Sequence, residues 1–195
     1  MKRSFAMLAA VPLCFAALAT AQAQGVGIKG GLVWNNVRDS GALPGSLGQN
    51  TGWTGGLTLS TEKGPIGLGI EGLYARRGIS APSFTDSRRL DYIDVPGYLR
   101  LMIPTAGVAP YAYAGPQVSF ELNCSAGSGS CPSGRPKTSY AGVIGAGLSF
   151  GGTHGGGLSV EGRYMYGLTD LKLSTTTSSS SYKTRSFLIL AALAF

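Results

Sequence analysis

From residue 26 onward, apolar side chains alternate with polar or small ones in stretches of about ten residues, each ended by turn or loop residues. Such alternation places one side of an extended chain in an apolar environment, and its repetition is typical of a membrane β-barrel. The pattern therefore predicts an all-β fold, an eight-stranded antiparallel up-and-down transmembrane β-barrel. The predicted strands are residues 26–34, 52–60, 66–76, 90–103, 109–122, 139–150, 157–168 and 183–195.

The last predicted strand has one continuous apolar face, formed by the odd positions from Phe187 to Phe195. A free apolar strand edge in a soluble protein invites pairing with other chains. In a closed barrel the last strand pairs with the first, and its apolar face meets lipid. The loop lengths agree with this interpretation. Connections after the second, fourth and sixth strands are short and the others are long, as for the periplasmic turns and extracellular loops of outer-membrane barrels.

The composition and the N-terminal segment indicate the cellular compartment. The chain of 195 residues has 31 glycines and 13% charged residues, about half the charge of a soluble domain. Lys2 and Arg3 precede an apolar run at 5–19, and Ala21-Gln22-Ala23 is a small-x-small cleavage site. We expect a cleaved signal peptide at 1–23, with cleavage after Ala21 as the alternative. The barrel domain at 24–195 is then exported to the outer membrane.

Charged residues occur on the predicted polar faces of the strands, where a barrel places its lumen. A charge facing lipid near the midplane would cost several kcal/mol. An eight-stranded barrel is just wide enough for its own side chains, so charges of both signs are expected to pair across the interior. A structural network that fills the lumen is favoured over an ion path or a proton relay. The predicted lumen residues are Lys29, Glu71, Asp94, Arg100, Glu121, Glu161 and Arg163.

Candidate chemistry is sparse. Export favours a short disulfide between Cys124 and Cys131, with two free thiols as the alternative. Zinc is disfavoured because the single histidine, His154, lies far from both in sequence. His154 also falls in a predicted periplasmic turn, a poor position for a Ser/His/carboxylate site. The sequence therefore predicts no metal, no cofactor and no enzymatic activity.

Basic and aromatic residues gather toward the predicted outer side. The aromatic set indicates an interfacial girdle and consists of Trp34, Trp53, Tyr74, Tyr140 and Tyr166. The basic set indicates contact with anionic lipid headgroups or surface polysaccharide, with ordinary solvated loop charge as the alternative. It comprises Arg38, Arg76, Arg77, Arg88, Arg89, Arg135, Lys137, Lys172, Lys183 and Arg185. Nucleic-acid binding is not expected, since no basic helix or aromatic-basic platform occurs.

Several strings, in this order and spacing, resemble the PorT-like outer-membrane β-barrel family. They are EGLYARRG at 71–78, LDYIDVPGYLRL at 90–101, PYAYAGPQV at 110–118, VEGRYMYGLTDL at 160–171 and the terminal LAALAF. The resemblance covers nearly all of the chain after the signal peptide. It implies fold and location more than an activity.

We therefore expect an integral outer-membrane barrel, a monomer with a structural or surface-interaction role and no catalytic activity. Its expected partners are outer-membrane lipid with anionic headgroups and the barrel-assembly machinery. That machinery would read Ala191, Leu193 and Phe195 in the last strand. The alternatives are a narrow pore for small solutes and a soluble periplasmic β-barrel that binds an apolar ligand.

Overall fold

The computed structural model describes residues 24–39, 50–79, 88–126, 137–151, 157–169 and 182–195. Within these ranges the chain forms eight β-strands. None of the described segments is a helix long and apolar enough to cross a membrane. The strands are β1 Gln24–Asp39, β2 Asn50–Lys63, β3 Ile66–Ile79, β4 Arg88–Met102, β5 Val108–Ala126, β6 Thr138–Phe150, β7 Gly157–Gly167 and β8 Tyr182–Ala194.

The predicted fold is confirmed, because each strand pairs antiparallel with its sequence neighbours and β1 closes the barrel against β8. Several strands run past their predicted outer ends: β1 continues from 34 to Asp39, and β5 from 122 to Ala126. The sequence pattern fades there because above the membrane both faces of a strand meet water. Backbone hydrogen bonding between strands does not require an apolar face. The pairing of β1 with β8 therefore continues from Trp34↔Phe187 to Asp39↔Tyr182.

The stagger of the barrel is ten residues. Following paired residues once around the wall from position 24 of β1 leads back to position 34 of the same strand. With eight strands, such a stagger tilts the strands by about 40° and leaves an interior that side chains can fill. The route is Gln24, Thr61, Leu68, Leu99, Ala114, Ile144, Tyr164, Phe187 and Trp34.

Two of the short connections depend on glycines in the left-handed region. Gly64, with φ 64°, lies between β2 and β3, and Gly107, with φ 88°, precedes β5. Residues with a Cβ rarely adopt this conformation. The two tight turns therefore fix the register of the strands that carry the lumen residues described below.

The large apolar side chains point away from the barrel. Leu99 and Leu101 are 48% and 54% exposed, while their neighbours Tyr98 and Arg100 point inward. A water-soluble protein buries such residues, whereas a membrane barrel presents them to lipid. The hypothesis of a soluble barrel with an apolar ligand requires the opposite orientation of this face, so the structure does not favour it.

Candidate functional site in the barrel lumen

Four charged side chains meet inside the barrel. Lys29 of β1 donates to Glu71 Oε1 of β3 at 2.6 Å and to Glu161 Oε2 of β7 at 3.1 Å. The Nη2 of Arg163 donates to Glu71 Oε1 and Oε2 at 2.9 and 2.7 Å, and to Glu161 Oε1 at 2.9 Å. All four residues are between 1% and 6% exposed. Two positive and two negative charges offset one another, which buried ions require. We call these four residues the lumen cluster.

Three tyrosine hydroxyls complete the hydrogen bonding of the two carboxylates. Tyr98 donates to Glu71 Oε1 at 2.8 Å. Tyr111 and Tyr113 donate to the two oxygens of Glu161 at 2.9 and 2.6 Å. Neutral donors add hydrogen bonds to the carboxylates without adding charge, so the lumen cluster stays balanced.

Each of these tyrosine rings lies across a glycine on the neighbouring strand. The directly paired residues are Gly69 with Tyr98, Gly145 with Tyr113, and Gly147 with Tyr111. A Cβ added to these glycines would lie 2.4, 2.4 and 2.7 Å, respectively, from an atom of the facing ring. The glycines therefore give the rings room to cross the lumen toward the lumen cluster.

Asp94, predicted to face the lumen, is buried there but contacts Arg77 and not the lumen cluster. The Arg77 guanidinium also lies 4.9 Å from the ring centroid of Tyr92. Its Nη2 is 3.8 Å from Met165 Sδ, which also accepts from Gln117 Nε2 at 3.1 Å. This second polar layer involves β3, β4, β5 and β7.

The two remaining predicted lumen charges have other partners. Arg100 pairs with Glu62 at 3.0 Å, and its guanidinium lies 3.7 Å from the ring centroid of Tyr111. Glu121, which is half-buried, accepts from the Tyr92 hydroxyl at 3.4 Å. Of the seven predicted lumen residues, four form the lumen cluster and three lie in separate contacts.

The sequence interpretation placed Arg77 with the outer basic set, and the structure corrects this, because Arg77 is 7% exposed and pairs inside the barrel. Arg77 shares the odd-numbered face of its strand with Glu71, and this parity could have located it. The sequence alone does not show which way Tyr111 and Tyr113 face, because they alternate with alanine. They share their face with the buried Gln117, which was the available signal.

The outer ends of β2, β3 and β4 carry an outward-facing group of aromatic and charged residues. Arg76 Nε donates to Asp91 Oδ1 at 3.0 Å, and its Nη2 lies 3.4 Å from the Tyr74 hydroxyl. Trp53 and Tyr74 contact each other with ring centroids 5.4 Å apart. Arg89 is exposed on the same face of β4 as Asp91.

The remaining predicted girdle residues also lie at the outer ends of strands. The Trp34 ring centroid is 6.2 Å from that of Phe187, and the Arg185 guanidinium is 5.5 Å from the Tyr166 ring centroid. Tyr140 is exposed. Lys137 is exposed as well. Arg135 and Lys172 lie outside the described residues, as do the side chains of Arg38, Arg88 and Lys183.

The sequence matches the outer membrane protein β-barrel domain family over residues 5–195. The chain belongs to this family. No curated protein sequence matches the chain. The fold is similar to that of Neisserial surface protein A, with 15% identity and a TM-score of 0.55 over 87% of this chain and 97% of that one. It is also similar to outer membrane protein AlkL, with 18% identity and a TM-score of 0.54 over 90% of this chain and 91% of that one. At these identities the structures support the barrel fold alone.

The prediction of no enzymatic activity was wrong, because it ruled out catalysis for this chain. The outer membrane enzyme PagL matches with 15% identity and a TM-score of 0.45 over 88% of this chain and 99% of that one. The similar structures therefore include an outer membrane enzyme. The match assigns no activity to this chain.

Other predictions for this outer membrane barrel concern parts that are not described. Residues 1–23, Cys131 and His154 lie outside the described residues. The signal peptide and the Cys124–Cys131 disulfide therefore stay predictions. Among the described residues, no group of three or more His, Cys, Asp or Glu side chains could hold a metal ion.

The proposed assembly residues lie on the lipid-facing side of the outer membrane barrel. Ala191 and Leu193 alternate along β8 with inward-facing residues, and Phe195, which directly follows β8, is 71% exposed. The backbone N–H of Phe195 donates to the carbonyl oxygen of Val26 at 2.8 Å, which continues the pairing of β8 with β1. The assembly role itself stays a prediction.

Proposed function

We propose that the chain is an integral outer-membrane barrel with a structural or surface-interaction role, and that its lumen does not conduct solutes. The observation that carries this proposal is the position of Arg163. Its side chain is 1% exposed and joins Glu71 to Glu161 in the barrel interior. With the lumen filled in this way, the outer end and its loops are the parts left to contact other molecules.

An ion that crossed the barrel interior would have to break the ion pairs of the lumen cluster. Lys29 and Arg163 each contact both carboxylates. Breaking a buried pair leaves an uncompensated charge at a cost of about 3–5 kcal/mol. This cost supports a closed interior, and the tyrosines that reach into the same space add to it.

Planar-bilayer recording tests the proposal. Refolded protein is first checked for a gel mobility that changes on boiling in detergent, which reports barrel formation. It is then added to bilayers at concentrations where a porin control conducts. We expect no single-channel steps. Reproducible steps that follow the concentration of folded barrel would overturn the proposal.

A narrow pore for small solutes is the second candidate function. It is favoured by the continuation of the polar lining beyond the lumen cluster, where Asp94, Gln117 and Ser119 are buried. A conducting lumen would place a wet path along these residues. The bilayer recording separates the two candidates, because steps lost in an Asp94→Asn variant would support the pore.

We further propose the finer assignments that the sequence suggested. They are membership of the PorT-like group, export through a cleaved signal peptide, a monomeric state, and reading of Ala191, Leu193 and Phe195 by the barrel-assembly machinery. Replacing Phe195 with Ser tests the last of these. The variant should insert poorly in cells and yet refold in detergent, whereas normal insertion in cells would contradict the assembly role.

A further inference from the structure

Arg76 and Arg89 point toward the membrane side of the wall and not into the lumen. Arg76 is the direct cross-strand partner of Trp53 on β2 and of Asp91 on β4. Arg89 shares the outward face of β4 with Asp91 and Ile93. Both arginines therefore stand on the surface that carries the lipid-facing residues.

Along the barrel axis, Arg76 and Arg89 lie beyond the hydrocarbon layer of the membrane. The apolar outward residues of β4 and its following turn run from Ile93 to Ile103. Ten residues, at about 3.3 Å per residue and a tilt of about 40°, cover about 25 Å, the height of the apolar band of an outer-membrane barrel. Asp91 and Arg89 follow beyond Ile93, so they lie at the level of the lipid headgroups.

The guanidinium of Arg76 is held in place by three neighbours. Asp91 accepts from Nε, the Tyr74 hydroxyl lies against Nη2, and the guanidinium carbon is 5.9 Å from the Trp53 ring centroid. Arginine has five N–H donors, and these two hydrogen bonds use two of them. Because the Arg76 side chain is already held in place, it loses little conformational entropy when it binds a headgroup.

We propose that Arg76 and Arg89 form a binding site for the phosphate-bearing headgroup of an outer-leaflet lipid. Arg76, Arg89 and Asp91 together carry a local charge of +1, and guanidinium recognises phosphate through paired N–H donors. Trp53, which is 47% exposed, and Tyr74 lie on the membrane side of the site, where aromatic rings occupy the headgroup boundary. The outward direction favours a lipid over a soluble polysaccharide. The inference rests on the proposed integral barrel.

Nanodiscs of phosphatidylcholine doped with either bisphosphorylated lipid A or its dephosphorylated form test the site. Native mass spectrometry counts the lipid A that each protein retains. The double variant R76Q/R89Q should bind phosphorylated lipid A about 25-fold more weakly, at about fivefold per arginine. Its binding of the dephosphorylated form should be unchanged. K63Q is the matched control, because Lys63 is an exposed basic residue at the opposite, short-turn end of the barrel.

Four results would overturn the proposal. Equal retention of the two lipid forms by the wild type would show that phosphate is not recognised. An equal loss in K63Q would show general charge attraction. Binding of soluble heparin that displaces lipid A and depends on Arg76 and Arg89 would assign the site to a polysaccharide. A wild type whose gel mobility does not change on boiling would contradict the integral barrel and the lipid site together, whereas conducting bilayers would contradict only the proposed closed lumen.

Discussion

Arg163 and Glu71, 92 residues apart in sequence, form a two-oxygen contact inside the barrel, with Nη2 of Arg163 at 2.9 and 2.7 Å from the two carboxylate oxygens. They lie on β7 and β3, which are not neighbours in the wall. The contact therefore joins separate parts of the barrel through its interior.

Arg163→Met should lower the free energy of unfolding by about 3–5 kcal/mol, because Glu71 and Glu161 would then share the single cation Lys29. The double variant R163M/E71Q removes one charge of each sign and should lose less than the sum of the two single variants. Urea unfolding in lipid vesicles, followed by gel mobility without boiling, measures all four proteins. Strict additivity would contradict a direct energetic coupling between the two residues.

Arg76 and Arg77 are adjacent in sequence and should respond differently to the same substitution. Arg77→Gln leaves Asp94 buried without its cation, at a cost of about 3–5 kcal/mol. Arg76→Gln removes a partly exposed pair with Asp91, and ion pairs that water reaches contribute little to stability. The same unfolding measurement compares the two variants. Equal losses would contradict the opposite facing of the two side chains.

The strands could be predicted from sequence because the membrane imposes one requirement on every strand. Lipid contact forces apolar residues such as Leu57 and Ile144 onto one face, and this requirement appears as alternation wherever the wall crosses the bilayer. The same requirement directs Glu71 and Arg163 into the lumen. These inferences need only whether a residue occupies an odd or an even position in its strand.

The partners in the lumen could not be predicted, because they depend on stagger as well as parity. Glu71 meets Arg163 only once the barrel closes with a stagger of ten residues, a quantity that no single strand encodes. Asp94 meets Arg77 through the register of β4 against β3, which one strand alone does not encode either. The tyrosines of β5 were ambiguous for a local reason. Tyr111 and Tyr113 alternate with alanine, so neither face of that stretch is clearly polar.

The glycines opposite the tyrosines should be sensitive to a single methyl group. Gly145→Ala places a Cβ 2.4 Å from the Tyr113 ring, which is held by Glu161 and Arg163. Overpacking of this kind costs about 1–3 kcal/mol. Unfolding in vesicles should show this loss.

Gly142→Ala, on the same strand, is the matched control. Its added Cβ meets no atom within 4 Å. The variant should be neutral or more stable by about 0.4–1 kcal/mol, because alanine restricts the unfolded chain. If both alanine variants lost the same stability, strand propensity and not ring contact would explain the effect.

Charging the lipid face should report both orientation and depth. Leu99 lies near the middle of the apolar band between Ile93 and Ile103, and it is exposed on the outside of the barrel. Leu99→Lys should therefore lower the free energy of unfolding in vesicles by about 2–4 kcal/mol, the cost of a lysine at the bilayer midplane. Ile103→Lys, at the edge of the band, should cost about 0–1 kcal/mol. Both variants add the same charge to strand β4 or its following turn, so only depth differs between them. Equal costs, or no cost for either, would contradict a wall that crosses the bilayer in this register.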